Sequence, residues 1–221
     1  MYTRYTNPGV RHTSAVLVFL LTLMPLSGQI RAGDEIQGDA EKGRALAAGK
    51  CDRCHGEGGV SDDPDTPHLA GQSAAYLLKQ LQDYKSRARD DRNMYKRARK
   101  LDEQQMADLS LWYESQPLPA INPDAVQGLE APKLVTHGDT ARSIPPCEIC
   151  HGKDGRTVAN VVPALAGQYA DYLVSTMEYF RDGTRSNDPG RAISLIISKL
   201  TDLEIDALAR YYAALGGRPV E

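Results

Sequence analysis

The residues of this chain that are best suited to chemistry form two copies of the pattern Cys-x-x-Cys-His, at Cys51–His55 and Cys147–His151. Two thiols at this spacing can each add to a vinyl group of one haem. The histidine that follows can then bind the iron from the same side, so the pattern is typical of c-type haem attachment. The two copies use all four cysteines of the chain. The sequence therefore predicts two covalently bound haem c groups.

The predicted haem-binding residues are the cysteines Cys51, Cys54, Cys147 and Cys150 and the iron-binding histidines His55 and His151. Four cysteines could instead form a pair of disulfides, a zinc site or a dithiol redox centre. None of these needs a histidine directly after the second cysteine of each pair, so two haems are the favoured interpretation. The other histidines, His12, His68 and His137, are expected to be ordinary surface or core imidazoles.

A proline lies twelve residues after each histidine of the motifs, Pro67 after His55 and Pro163 after His151. A ligating imidazole usually donates its second ring N–H to a carbonyl or carboxylate oxygen. A turn that contains proline at a fixed distance is a good place for such a carbonyl, although each residue could also be an ordinary loop proline. We expect these two turns to orient the two histidines.

The segment after each motif is repeated at a constant spacing of 96 residues. Its shared residues are Leu69, Gly71, Gln72 and Tyr76, which recur as Leu165, Gly167, Gln168 and Tyr172. The closing helix at 201–215 corresponds to the one at 102–115 at a spacing of 99 residues. The second half therefore has three additional residues between the shared segment and its closing helix. A length of 221 residues suits two domains of about 100 each. With only two Phe and one Trp, a buried haem in each half would supply apolar mass that the side chains lack.

Helical patterns surround the first motif. Residues 40–50 are predicted to form a helix with Asp39 as its cap. An amphipathic stretch follows at 73–84, and a polar loop leads from it to Met94. The last helix of this half is expected to begin at the cap Asp102 and to bury the apolar face that contains Met106.

The first 32 residues have the composition of a secretory signal peptide. Three arginines and no acidic residue accompany an apolar run at 14–24 and a small-residue exit that ends at Ala32. The run is too short to span a bilayer comfortably, which makes an uncleaved membrane anchor the less favoured alternative. We expect cleavage after Ala32 and a periplasmic location, since c-type haem is attached and kept outside the cytoplasm.

Residues 116–133 contain four prolines and few periodic apolar residues, which predicts a linker. The predicted layout is a signal peptide at 1–32, a first domain at 33–115, a linker at 116–133 and a second domain at 134–221. Removal of the signal peptide takes away three positive charges and moves the formal net charge from −3 to −6. This acidic balance argues against nucleic acid as a partner.

The pattern Pro-x-Leu-Ala-Gly-Gln-x-x-x-Tyr-Leu follows both motifs, and the segments at 185–189 and 200–208 complete the set. Together these residues resemble the two-haem cytochrome c4 family over nearly all of 39–217. The resemblance implies an all-α fold of two tandem class I cytochrome c domains whose haem edges lie close to each other. It also implies an electron carrier of the bacterial periplasm that often serves a terminal oxidase.

The resemblance further implies that Met94 is the sixth ligand of the first iron, because the family places a methionine seven residues before Leu101. A methionine thioether at this position raises the reduction potential. Methionine also fills apolar cores. The polar neighbours Arg92, Asn93 and Lys96 favour the ligand role over a core role.

The second half differs at the equivalent position, because seven residues before Leu200 stands Ile193. The family implies a methionine at 192 or 193, and an aliphatic side chain offers no lone pair to iron. The second iron could therefore be five-coordinate and open, take a ligand from a partner protein, or take a substitute from this chain. The candidate substitutes are Met177, Lys199 and His137. We expect the open site.

Basic residues crowd the chain on both sides of Met94, with Asp90 and Asp91 as the only acids between residues 85 and 100. This basic collar consists of Lys85, Arg87, Arg89, Arg92, Lys96, Arg97, Arg99 and Lys100. Such a run is often only a solvated surface. Around a haem edge it would also steer an acidic redox partner into place, which we expect here.

These observations favour an electron carrier over an enzyme. The expected role is transfer from a donor dehydrogenase or quinol-oxidising complex to a terminal acceptor, with a membrane-bound oxidase or dehydrogenase among the candidate partners. A second reading is the cytochrome subunit of a dehydrogenase, such as a flavocytochrome that oxidises sulfide. A third is a small-ligand sensor or redox enzyme at the open iron, for which the 187–193 loop offers only Asn187, Asp188 and Arg191 as polar groups.

Overall fold

The computed structural model describes residues 36–118, 130–156 and 161–216. The predicted signal peptide and most of the predicted linker lie outside these residues. The regular structure in the described ranges is helical, and the only β pairing there is an isolated bridge between Asp139 and Ile144. The all-α prediction is confirmed.

Residues 36–118 form five α-helices, and a single 3₁₀ turn at Glu57–Gly59 follows the second. They are α1 (Ala40–Lys50), α2 (Asp52–His55), α3 (Ala74–Ser86), α4 (Arg92–Ala98) and α5 (Glu103–Ser115). The predicted cap Asp39 accepts hydrogen bonds from the N–H groups of Glu41 and Lys42. At the start of α5, the side chain of Asp102 and that of Gln105 form a reciprocal capping box.

The first core lies where α1 and α3 pack on α5. It includes Leu77 of α3 and the buried face of α5, on which Met106 is fully buried and Leu109 and Tyr113 nearly so. Helix α1 approaches α5 very closely at Gly43, where an added Cβ would lie 2.1 Å from the carbonyl oxygen of Asp108. Only glycine permits this separation of the two helices.

The predicted polar loop is present at 87–91, but it ends before Met94, which lies in the short helix α4 that was not predicted from the sequence. The helix forms because Asp91 caps it, accepting a 2.7 Å hydrogen bond from the N–H of Met94. The side chain at 94 is therefore held by a helical turn instead of a loop.

The second half repeats the order of the helices, with a shorter first helix and with its 3₁₀ turn in a different place. Its helices are α6 (Lys133–Thr136), α7 (Glu148–His151), α8 (Ala170–Asp182), α9 (Ala192–Ile197) and α10 (Asp202–Ala214), with a 3₁₀ turn at Pro189–Arg191 before α9. The predicted closing helix is confirmed, with Thr201 and Glu204 as its capping box. Helix α8 packs on both α9 and α10, and their apolar faces form the second core.

Among the described residues, the counterpart of the long N-terminal helix of the first half is the four-residue α6. Pro145 and Pro146 directly precede the second motif, and proline cannot continue a helix into it. The chain instead makes a turn closed by the Asp139–Ile144 bridge. Arg142 fastens this turn to α10 through a 2.6 Å ion pair with Glu204.

Candidate haem-binding sites

The first motif forms the single helical turn α2, which presents both thiols and the imidazole from one short segment. Cys51 is partly buried and Cys54 exposed, and the described cysteines form no disulfide. His55 is 8% exposed, and its Nδ1–H donates a 2.9 Å hydrogen bond to the carbonyl oxygen of Pro67. This bond leaves Nε2 as the nitrogen that can bind iron.

The second motif, in α7, has the same geometry. Cys147 is partly buried and Cys150 exposed. The Nδ1–H of His151 donates a 3.0 Å hydrogen bond to the carbonyl oxygen of Pro163. The hydrogen bonds expected at the two prolines are therefore both present, and each fixes the tautomer and the ring direction of its histidine.

The protonation state of the two motif histidines suits a metal ligand. Burial lowers the pKa of His55 and of His151, against the opposing effect of the proline carbonyls, so both rings favour the neutral form. A neutral imidazole with its proton on Nδ1 keeps a lone pair on Nε2. Burial also raises the pKa of the Cys51 and Cys147 thiols.

The residues around the motifs fit a large bound group. The hydroxyls of Tyr113 and Tyr212 are buried without a hydrogen-bond partner, and they stand at equivalent positions of α5 and α10. Burial raises the pKa of both tyrosines, and the nearby thiol of Cys51 or Cys147 raises it further. Within 36–118, 130–156 and 161–216, no group of three or more His, Cys, Asp or Glu side chains could hold a metal ion alone. One imidazole beside two thiols instead fits iron that is carried by a thioether-linked porphyrin.

The start of α4 lies close to the first motif. The carboxylate of its cap Asp91 is near enough to His55 to favour protonation of that ring, although burial dominates the pKa. Met94, in the first turn of α4, is partly buried. Within the described residues it is not among the side chains packed on the first apolar core. A partly buried methionine outside the core is suited to bind a metal from this side.

Helix α9 is the counterpart of α4 in the second half. The buried residues Ala98 and Leu101 match the buried Ile197 and Leu200 at a spacing of 99, which aligns Met94 with Ile193. Ile193 packs against the second apolar core. The loop that precedes it is tied down, because the carboxylate of Asp188 accepts hydrogen bonds from the Ser194 N–H at 2.9 Å and the Ser194 hydroxyl at 2.7 Å.

The three side chains considered as substitute ligands all have other contacts. Met177 packs on the second apolar core. Lys199 donates from Nζ to the carbonyl oxygen of Ser143 at 3.0 Å. His137 is exposed, with its Nδ1 2.7 Å from the hydroxyl of Thr136.

The basic collar is smaller than the sequence suggested. Arg89 does not belong to it, because its guanidinium group lies between the two halves and donates to the hydroxyl of Tyr172 at 3.1 Å. Arg87 lies over the ring of Tyr95, and Lys85 donates to the carbonyl oxygen of Leu101. The exposed basic residues of the collar are Lys85, Arg87, Arg92, Lys96, Arg97, Arg99 and Lys100. The charge of Arg97 reaches the Cys51 thiol, where it partly offsets the rise in pKa caused by burial.

The two halves contact each other through matching residues of the repeat, among them Tyr76 and Tyr172, which the sequence marked only as landmarks. Arg89 and its counterpart Arg185 both donate to Oε1 of Gln80, at 2.8 and 3.1 Å. Each also approaches a tyrosine of the opposite half, Arg89 at Tyr172 and Arg185 at Tyr76. The constant spacing of 96 residues could have indicated these contacts. Matching residues of a repeat can meet where two similar halves pack around an approximate twofold axis.

A second set of contacts joins the glutamines of the repeat to the opposite half. Gln72 exchanges two hydrogen bonds with the backbone of Ala164, and Gln168 does the same with the backbone of His68. His68, expected to be an ordinary imidazole, has its ring 4.4 Å from that of Tyr169 between centroids. Its Nδ1 accepts a hydrogen bond from the N–H of Ser61.

Two haem-attachment motifs in a helical repeat define a c-type cytochrome, and the comparisons agree. The family model for cytochrome c matches residues 40–116. Cytochrome c4 of Pseudomonas aeruginosa is 36% identical over 209 residues, which cover 90% of this chain and 98% of that protein. The thiosulfate dehydrogenase electron acceptor of Stutzerimonas stutzeri is 35% identical over 196 residues, 86% of this chain and 90% of the relative.

Structural comparison gives the same answer. The crystal structure of reduced recombinant cytochrome c4 from Pseudomonas stutzeri matches with a TM-score of 0.71 and 34% identity, over 81% of this chain and all of the other. The chain belongs to the cytochrome c4 family, and its cofactor is covalently bound haem c. It is an electron-transfer cytochrome with two haem-attachment motifs. Among the described helices, none has the length and apolar character needed to cross a membrane.

Proposed function

We propose that this chain is a periplasmic electron carrier with two unlike haems. The first would be held by Cys51 and Cys54, with His55 and Met94 as iron ligands. The second would be held by Cys147 and Cys150, with His151 as the iron ligand that this chain supplies. When bound, each haem supplies an iron that gains and loses one electron. The protein passes electrons from a dehydrogenase or quinol-oxidising complex to a terminal acceptor.

The cysteines and the histidine of each motif have different roles in holding the haem. The thiols fix its position on a single helical turn, and the partly buried Cys51 and Cys147 lie deeper than their exposed partners. Burial keeps the imidazoles neutral, while the proline carbonyls at 67 and 163 hold the proton on Nδ1 and so leave Nε2 as the ligand nitrogen. A fixed ligand geometry reduces the structural change that accompanies each change of oxidation state.

The difference between Met94 and Ile193 is the observation that carries the proposal. The two residues occupy equivalent positions of α4 and α9, yet only Met94 has a sulfur atom to donate. Ile193 packs on the second apolar core, and the Asp188–Ser194 hydrogen bonds hold the loop before it. Since an axial thioether raises the potential, we expect the second haem to have the lower potential.

The substitute ligands are unsuited to replace methionine at the second site. Met177 is partly buried and would have to leave its packing on the apolar core, which costs less than the roughly 1.5–3 kcal/mol of a fully buried side chain but is still unfavourable. Lys199 would have to give up its bond to Ser143 and lose a proton. The contacts of all three candidates therefore support an open, five-coordinate second iron.

Docking at the first haem is proposed to use the remaining basic collar. Its seven exposed cations surround Met94 in sequence, and Arg97 lies within electrostatic reach of Cys51. A positive patch on a protein with a negative net charge gives an acidic partner a preferred orientation and a faster, salt-dependent approach.

A thiosulfate dehydrogenase is a specific candidate for the donor. One relative at 35% identity is named as the electron acceptor of that enzyme, and it is matched over most of its length. The proposed chemistry is the same with this donor or with another dehydrogenase, because the chain needs only an acceptor haem close to a docking surface.

Carbon monoxide stoichiometry tests the proposal. The reduced wild-type protein, with two haems confirmed by mass, is expected to bind one carbon monoxide per chain. Met94→Ala should bind two, because it removes the ligand that closes the first iron. Met177→Ala is the matched control and should still bind one. A wild-type protein that binds none would show two closed irons and overturn the proposed difference.

A further inference from the structure

The peptide group between Pro67 and His68 is hydrogen-bonded at both ends. Its carbonyl oxygen accepts the Nδ1–H of His55 at 2.9 Å. Its N–H donates to Oε1 of Gln168, a residue of the opposite half, at 3.0 Å. The proposed iron ligand of the first half is thus one peptide group away from a glutamine of the second.

The peptide group between Pro163 and Ala164 has the same arrangement in the reverse direction. Its carbonyl oxygen accepts the Nδ1–H of His151 at 3.0 Å. Its N–H donates to Oε1 of Gln72, in the first half, at 3.0 Å. Each histidine is therefore linked to the other half through one polarisable amide.

The orientation of both glutamine side chains is fixed by the backbone. Nε2 of Gln168 donates to the carbonyl oxygen of His68 at 3.1 Å, and Nε2 of Gln72 donates to that of Ala164 at 2.7 Å. A backbone N–H can only donate and a carbonyl can only accept, so neither amide can turn over. Both glutamines are 6% exposed, which keeps water from competing for these bonds.

We propose that Gln168 and Gln72 are positioning residues that set the reduction potential of the haem in the opposite half. This inference rests on the proposed role of His55 and His151 as iron ligands. When the glutamine accepts the peptide N–H, it polarises that amide and makes the carbonyl a stronger acceptor. The stronger bond from Nδ1–H makes the imidazole a more basic ligand. A more basic ligand favours the oxidised iron, so the glutamine lowers the potential across the interface.

The test uses Gln168→Met and Gln72→Met in the full protein with both haems attached. Methionine has a similar length but no amide. Gln168→Met is expected to raise the potential of the first haem and leave the second unchanged, and Gln72→Met is expected to do the reverse. Each variant is the matched control of the other, because both remove two hydrogen bonds from the same interface. Redox titration followed through the proton NMR resonances of each haem separates the two values.

A second readout reports the hydrogen bond itself. The Nδ1–H proton of His55 in the reduced protein should move upfield in Gln168→Met, which indicates a weaker bond, and should keep its position in Gln72→Met. Gln168→Glu keeps an acceptor oxygen and should leave the potential of the first haem at or below the wild-type value. This variant decides the question if methionine at 168 prevents folding.

Equal shifts of both haems in each variant, a shift confined to the haem of the mutated half, or no shift would overturn the inference while the proposed function stands. A wild-type protein that carries no haem mass would overturn both together.

Discussion

The guanidinium group of Arg89 in the first half donates a 3.1 Å hydrogen bond to the hydroxyl of Tyr172 in the second. Burial disfavours the ionised form of Tyr172, but the charges of Arg89 and Arg185 outweigh it and lower the pKa to about 8 from the usual 10. The pair lies where the two halves meet, so its ionisation bears on how firmly they are held together.

Stability should therefore depend on Tyr172 at alkaline pH. The folded state releases this proton more easily than the unfolded chain, so ionisation adds stability as pH rises above about 8, and the full amount is present above about 10. The gain is lost as pH falls through about 8. Denaturant unfolding of Tyr172→Phe and wild type should show a gap that widens over this range. A gap that is constant with pH would contradict the assignment.

Restoring a thioether should close the second iron. Ile193→Met is expected to make the second haem low-spin, raise its potential and abolish its binding of carbon monoxide, because a ligand returns to the position equivalent to Met94. Ile196→Met is the control, since Ile196 is also partly buried in α9 and packs on the same core. Optical titration with carbon monoxide checks both. Loss of binding in the control as well would show that the effect comes from packing.

Charge reversal should slow docking. Arg97→Glu with Arg99→Glu is expected to lower the rate of electron transfer with an acidic partner at low salt, and the deficit should shrink as salt screens the charges. The same reversal at Arg44 and Arg210, which are exposed residues outside the collar, provides a control of equal net charge. Stopped-flow rates over a salt series measure the effect. Identical rates in the two double variants would show that the collar is not the docking surface.

The contact between α1 and α5 should tolerate no side chain at residue 43. Gly43→Ala is expected to destabilise the protein by about 1–3 kcal/mol, because the new methyl group would meet the backbone of Asp108. Gly49→Ala, in the same helix with open space around it, should instead stabilise by up to about 1 kcal/mol. Thermal or denaturant unfolding compares them, and similar effects at both sites would disprove the close approach.

Much of the fold was predictable because it depends on local signals. Asp39 and Asp102 are capping residues at the expected positions, and both closing helices begin where the sequence places them. The helix that holds Met94 was missed because polar residues fill α4, so no apolar periodicity marks it. The first helix of the second half is short because Pro145 and Pro146 precede the motif. The first half has no prolines at the matching positions, so the repeat alone does not predict this difference.

The site was predictable in its covalent part and less so in its surroundings. The two motifs and their prolines stand at fixed distances along the chain, which sequence alone reveals. The roles of Arg89 and Gln168 depend on contacts with residues roughly 100 positions away, and nothing local distinguishes a buried interfacial arginine from a surface one. The iron ligands themselves stay predictions.

Electron paramagnetic resonance of the oxidised protein tests the central claim most directly, because it counts high-spin and low-spin iron separately. The account predicts one low-spin iron, bound by His55 and Met94, and one high-spin iron, bound by His151 alone. Two low-spin irons would contradict it.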